Sequence, residues 1–211
     1  MNLFNFHHHN LVNFYGIYNL DLGENVPESY FSVGIHPKDI DENWQKHFEA
    51  FKKISLQDNC LAIGECGLDA LIDIDANLQK TVFERQILWA NEIQKPVIIH
   101  CVKCFQELIP FQKLAEVPLI IHGFNKKKSV ADEMLKHGFF LSFGKSVLYN
   151  LSLQSILKEI PIDKIFLETD DTDFDIAELY QKVSEIKEIS LEELQKKISE
   201  NLQSINVKFS L

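Results

Sequence analysis

The chain is predicted to fold as an α/β protein, a TIM-like β/α barrel trimmed around strands 1–3. Two observations predict this. Eight apolar runs rich in β-branched and aromatic residues recur along the sequence, at 3–9 (LFNFHHH), 14–20 (FYGIYNL), 30–36 (YFSVGIH), 60–68 (CLAIGECGL), 96–102 (PVIIHCV), 118–124 (PLIIHGF), 139–145 (FFLSFGK) and 164–170 (KIFLETD). Between most of them lie stretches with helical periodicity. The runs are mostly continuous rather than alternating, as expected for parallel strands covered on both faces. Strand–helix alternation across eight strands points to a β/α barrel, with a doubly wound open sheet as the other arrangement it allows.

Taken in order, the first three runs are separated by gaps too short for full helices, so the barrel is trimmed there. After the fourth run, Asp75–Gln94 reads as a helix, with Leu78, Val82, Phe83, Gln86, Leu88 and Ile93 among polar residues and Pro96 just beyond its end. The fifth run is followed by a helix over Phe105–Leu114, and the sixth by one over Lys127–His137 with Gly138 as its C-cap. Ser146–Leu157 reads as one helix after the seventh run. Two helices close the chain: the amphipathic Ile176–Lys187, and one opened by Ser190 beside glutamates. No repeat, low-complexity linker or flexible hinge interrupts this order, so residues 1–211 are expected to form a single domain.

Composition narrows the function. The 211 residues are 45% hydrophobic and 25% charged, a balance that excludes disordered and fibrous classes. No apolar run approaches the roughly 18 residues a membrane helix needs. A formal charge of −10 argues against nonspecific coating of polyanions. The opening MNLFNFHHHN lacks a basic segment ahead of its short apolar stretch, so it is not a signal peptide and a cytoplasmic location is the default. Cys60, Cys66, Cys101 and Cys104 are few and lie mostly in apolar runs, which predicts reduced thiols and no disulfides.

The C-terminal ends of the runs carry groups that bind metals or titrate: His7-His8-His9, His36, Glu65, His100, His122 and Asp170. In a barrel these ends share one face, where active sites are built. His7 and His9 leave a strand on the same side and can converge on one ion, whereas His8 points the other way. With one glutamate, two later histidines and an aspartate, the set suits zinc, manganese or magnesium. Six ligands exceed the needs of one tetrahedral ion, so a two-metal site sharing a carboxylate is the economical reading. A glutamate in an apolar strand, between Gly64 and Gly67, requires a strong partner, which a metal supplies.

FNFHHH, SVGIHP, AIGECGLD, a helix carrying F-x2-Q, PVIIHC, IIHGF, LSFG and FLETD, in that order, resemble the TatD family of metal-dependent hydrolases. The closing ISLEELQKKISENLQSI is similar to that family's last helix. The resemblance implies an amidohydrolase-like barrel and divalent-metal phosphodiester hydrolysis, usually of DNA. By position, it implies that His7, His9, Glu65 and Asp170 hold one metal, and Glu65, His100 and His122 a second. Asp170 would also act on the attacking water, and His36 would face the substrate phosphate.

The chain departs from the family pattern near the substrate. Asn5 replaces an acidic residue, Lys38 replaces a histidine, and Val102 stands where an arginine is usual, beside Lys103. Asp171-Thr172-Asp173 follows Asp170 in place of a small residue and proline, and the basic loop that normally comes next is absent. Lys126, in the cluster Lys126-Lys127-Lys128, is the other cation expected near the mouth. Either DNA or a small phosphodiester therefore fits as the substrate. A small ester, amide or phosphorylated metabolite, or a non-catalytic metal-binding role, is the alternative. The Cys101-x-x-Cys104 spacing has no second pair and is read as structural, as are Trp44 and Trp89.

Overall fold

The computed structural model describes residues 3–12 and 15–207; Phe14, which opens the second apolar run, lies outside the described residues. All eight predicted strands are present: β1 (Asn5–His8), β2 (Gly16–Leu20), β3 (Phe31–Val33), β4 (Cys60–Asp69), β5 (Val97–Val102), β6 (Leu119–Ile121), β7 (Phe140–Phe143) and β8 (Ile165–Leu167). They pair in sequence order and every pairing is parallel. The sheet closes on itself. His8 bridges Asp170, the Asp170 N–H donates to the His7 carbonyl and the His9 N–H to the Asp170 carbonyl. Phe6 and Phe166 stack at 4.2 Å, with both rings fully buried. The barrel reading therefore holds, and the open-sheet alternative does not.

Asn5 reinforces this closure. Its buried amide donates to the Thr169 hydroxyl at 2.8 Å and accepts from the Thr169 N–H at 2.9 Å. In place of an acid, the chain thus has a neutral two-bond clamp between β1 and the segment after β8.

Among the described residues, seven α-helices surround the strands: α1 (Trp44–Ser55), α2 (Ala76–Ile93), α3 (Phe105–Gln112), α4 (Lys128–Lys136), α5 (Leu151–Glu159), α6 (Ile176–Lys187) and α7 (Leu191–Ser204). As predicted, β2 and β3 are joined without a helix. The sequence reading placed no helix between β3 and β4, yet α1 lies there. It is held by an aromatic stripe in which Trp44 meets Phe48 at 6.4 Å and Phe48 meets Phe51 at 5.0 Å, at helical spacing that also explains the packing role of Trp44. The helix expected over Ser146–Leu157 is broken. A 3-10 turn spans Lys145–Leu148, and α5 starts afresh because the Asn150 side chain accepts from the Leu153 N–H at 3.1 Å and caps it.

Two glutamines of α2 tie that helix to the strand ends. The Gln86 amide accepts from the Ile35 N–H at 2.7 Å and donates to the Ile35 carbonyl at 3.1 Å. Gln79 does the same for Asp69 at 2.8 and 3.1 Å. Buried side chains thus serve backbone groups that leave the ladder, and they fix the mouth of the barrel beside β3 and β4.

The central strand β4 needs glycine where it approaches β5. Gly64 and Gly67 have φ of +144° and +148°, and a Cβ on Gly67 would lie 2.1 Å from the His100 carbonyl oxygen. That contact is with backbone, so it cannot be relieved by rotating a side chain. Gly67→Ala is expected to destabilise the protein by at least about 3 kcal/mol, read as a lowered urea midpoint. An unchanged midpoint would contradict this packing.

Candidate metal centre

Because all strands run the same way, their C-terminal ends meet at one mouth, and there the predicted residues converge. The buried Glu65 carboxylate lies at the centre and its two oxygens face different partners. Oε1 lies 2.7 Å from His100 Nδ1, 2.7 Å from His122 Nε2 and 3.5 Å from His36 Nε2. Oε2 lies 3.6 Å from His7 Nε2 and 3.9 Å from His9 Nε2. Asp170 Oδ1 faces the same pair, 3.6 Å from His7 and 3.7 Å from His9. The Glu65 oxygens therefore divide the histidines into a β1 pair shared with Asp170 and a group from the ends of β3, β5 and β6.

The donor set fits metal ions. Potential ligand atoms of His7, Glu65 and His122, of His7, His9 and Asp170, and of His36, Glu65 and His100 each lie within 4.8 Å of one another. His7 is fully buried, and neither ring nitrogen has a hydrogen-bond partner. A buried imidazole without partners is costly unless a ligand completes it. His36 is drawn closer to the cluster than a purely phosphate-facing residue need be. Its Nδ1 accepts from the Lys38 N–H at 3.0 Å, which turns Nε2 toward Glu65, and its ring sits 4.3 Å from that of His100. His8 points away, as expected, and is buried near Tyr18.

A supporting layer escaped the sequence reading. Glu168 is fully buried, accepts from the Gly123 N–H and the Ser142 hydroxyl, and lies 3.5 Å from His122 Nδ1. Asp69 reaches His100 Nε2 at 3.3 Å, and the Asn19 side chain accepts the Glu65 N–H at 2.9 Å. All three are polar residues inside apolar strand segments, which is the signal that could have identified them.

The other expectations sort as follows. Lys103 is exposed at the end of β5 with φ +58°, and the ammonium of Lys126 lies 5.9 Å from the Phe105 ring. Both are rim positions, outside the ligand cluster. The four cysteines are free, and burial pushes the Cys101 thiol up to about 12, leaving it neutral.

Charge balance within the cluster shapes its titration. Burial alone would depress His7, but Asp170 and Glu65 outweigh it and raise its pKa to about 9. Burial likewise opposes ionisation of Glu65, yet His122, His100 and His36 hold it far below the ordinary carboxylate range. His122 is raised by Glu65 and Glu168 against its own burial. Without a metal ion, protons on His7 and His122 offset the carboxylates. Metal ligands bind deprotonated, so an arriving ion must displace those protons. Metal affinity should therefore strengthen from about pH 7 to pH 9, about tenfold per unit for each proton released. Titration calorimetry in buffers of different ionisation heat would read the release, and a pH-independent affinity over this window would refute it.

Comparisons with known proteins identify the family. A profile described as TatD related DNase matches residues 16–206. The chain is 29% identical over 195 residues to the uncharacterized metal-dependent hydrolase YabD of Bacillus subtilis, covering 83% of this chain and 76% of that protein. It is also 29% identical over 156 residues to the 3'-5' ssDNA/RNA exonuclease TatD of Citrobacter rodentium, covering 71% of this chain but 59% of the exonuclease. The crystal structure of YjjV, a TatD homolog from Escherichia coli K12, superposes with a TM-score of 0.82 at 18% identity, covering 98% of this chain and 99% of that one, a likeness of fold. With nine-tenths of its length matched by the profile, the chain belongs to the TatD-related DNase family.

Proposed function

We propose that this protein is a two-metal phosphodiesterase of the TatD type, working as a single cytoplasmic domain on DNA. The observation that carries the reading is the division of the Glu65 carboxylate between two groups of histidines. In this reading His7, His9, Glu65 and Asp170 would hold one divalent ion, and Glu65, His100 and His122 would hold a second, with Glu65 shared between the two sets. Bound ions would activate water and offset charge on the phosphate oxygens.

The chain's own groups supply the rest. Asp170 is 35% exposed whereas Glu65 is 8% and Glu168 is 0% exposed, so Asp170 is the carboxylate that meets solvent and can orient or deprotonate the attacking water. Glu168 and Asp69 hold the His122 and His100 rings in place. His36, Lys103 and Lys126 are assigned to the substrate's phosphates.

A second reading, hydrolysis of a small phosphodiester, is favoured by one observation. A cavity of about 760 Å³ opens beside His9 and Asp170 and is walled by Glu24, Asp171, Asp173 and Asp175, with no lysine or arginine in its lining. Such a wall repels a continuing polyanion.

The test compares cleavage of single-stranded DNA and of methyl p-nitrophenyl phosphate by protein supplied with manganese. Asp170→Asn should lower kcat by about 10²–10⁴-fold on whichever substrate is cleaved. Glu65→Gln should abolish both activity and stoichiometric metal uptake. Cleavage of the small ester alone favours the second reading. Turnover of neither, or full activity in Asp170→Asn, defeats the proposal.

A further inference from the structure

Two cavities flank Asp170, and their charges differ. The larger is the acidic one beside His9. The smaller, about 190 Å³, shares Thr169, Asp170 and Thr172 with the first and runs from Glu168 past Asn125, Lys145 and Ser146 to Tyr149. An anionic substrate reaching Asp170 is repelled by the carboxylates of the first, whereas the second has the Lys145 side chain in its lining.

The second cavity presents groups suited to one chemistry. Tyr149 is 68% exposed at its outer end. Lys145, which opens the 3-10 turn that ends just before Tyr149, makes no ion pair among the described residues, and its ammonium lies 5.7 Å from the Phe174 ring. The turn is held in place. The Asn125 amide donates to the Ser146 hydroxyl at 3.2 Å and accepts from the Asn150 amide at 3.3 Å, while Asn150 caps α5. The break in the predicted Ser146–Leu157 helix thus places an aromatic face and a free ammonium on a braced loop next to the reacting centre.

From this we infer that Tyr149 is the stacking platform for the nucleobase of the substrate and that Lys145 contacts the phosphate between that base and Asp170. Aromatic stacking accepts any base, because every base offers a π-face, while a lysine serves as a point charge for phosphate. The inference rests on the phosphodiesterase reading for the reaction, and it adds that the substrate is a nucleotide whose base lies on the β6–β7 side of the mouth. Tyr149 and Lys145 are specificity-determining residues in this scheme and take no part in proton transfer.

Binding tests the inference apart from turnover. With manganese present, thymidine 5′-monophosphate should bind the unaltered protein about tenfold tighter than inorganic phosphate, as one stacked base would provide. Tyr149→Ala should erase that difference, Tyr149→Phe should keep it, and Lys145→Ala should weaken both ligands. Because Tyr149 is mostly exposed, its replacement leaves the fold intact, which thermal melting would verify. Equal affinities for the two ligands in the unaltered protein, or a preference that survives Tyr149→Ala, would overturn the inference. Turnover separates this result from the parent reading. Base-selective binding without hydrolysis of thymidine 5′-(p-nitrophenyl) phosphate or the methyl ester defeats the phosphodiesterase reading alone. Hydrolysis of both esters with equal KM, unchanged by Tyr149→Ala, defeats the platform alone.

Discussion

The buried carboxylate of Glu65 is the constraint around which the mouth of the barrel is built. A carboxylate 8% exposed, inside an entirely buried strand, has to be met by positive charge. Five histidines from four different strand ends meet it. Its backbone is placed by Asn19 from β2, and the glycines on either side let β5 approach closely enough for His100 to reach it. Around that group each neighbouring element contributes one function: α2 pins the strand ends through Gln79 and Gln86, and β8 supplies Glu168 beneath His122. Stability and site geometry meet in one residue, since the charge that is hardest to bury is also the one on which the histidines converge.

Much of this was legible in the sequence, and for identifiable reasons. Parallel strands covered on both faces leave continuous apolar runs, and each of the eight was visible as such. Strand order then places every strand end at one mouth, so His7, His9, Glu65, His100, His122 and Asp170 could be grouped without coordinates. Less legible were features whose cause lies in tertiary contacts. Helix α1 is weakly apolar apart from its aromatic stripe, and its identity depends on packing against the barrel. The interruption at Tyr149 and Asn150 reflects a side-chain cap and a brace from Asn125, a residue more than twenty positions away in the chain. Glu168, Asp69 and Asn19 act through groups that sequence spacing does not bring together.

The departures from the family pattern also acquire physical meaning. Asn5 is a closing clamp rather than a missing acid, because amide and hydroxyl satisfy each other across the seam. The acidic residues after Asp170 are gathered into one wall, while Lys145, just after β7, lines the smaller neighbouring cavity. A net charge of −10 is therefore less informative than its distribution. The mouth is electrostatically polar, and an anion that enters it is oriented by that polarity.

The seam between the first and last strands has one further consequence. Asn5 and Thr169 are 164 positions apart, yet they bond to each other beside His7, His9 and Asp170. A contact of that separation demands closure of nearly the whole chain, which makes it among the slowest to form. His7, His9 and Asp170 therefore come together only when the residues after β8 are paired with β1. A chain in which this seam is open carries the same histidines, but apart from Asp170.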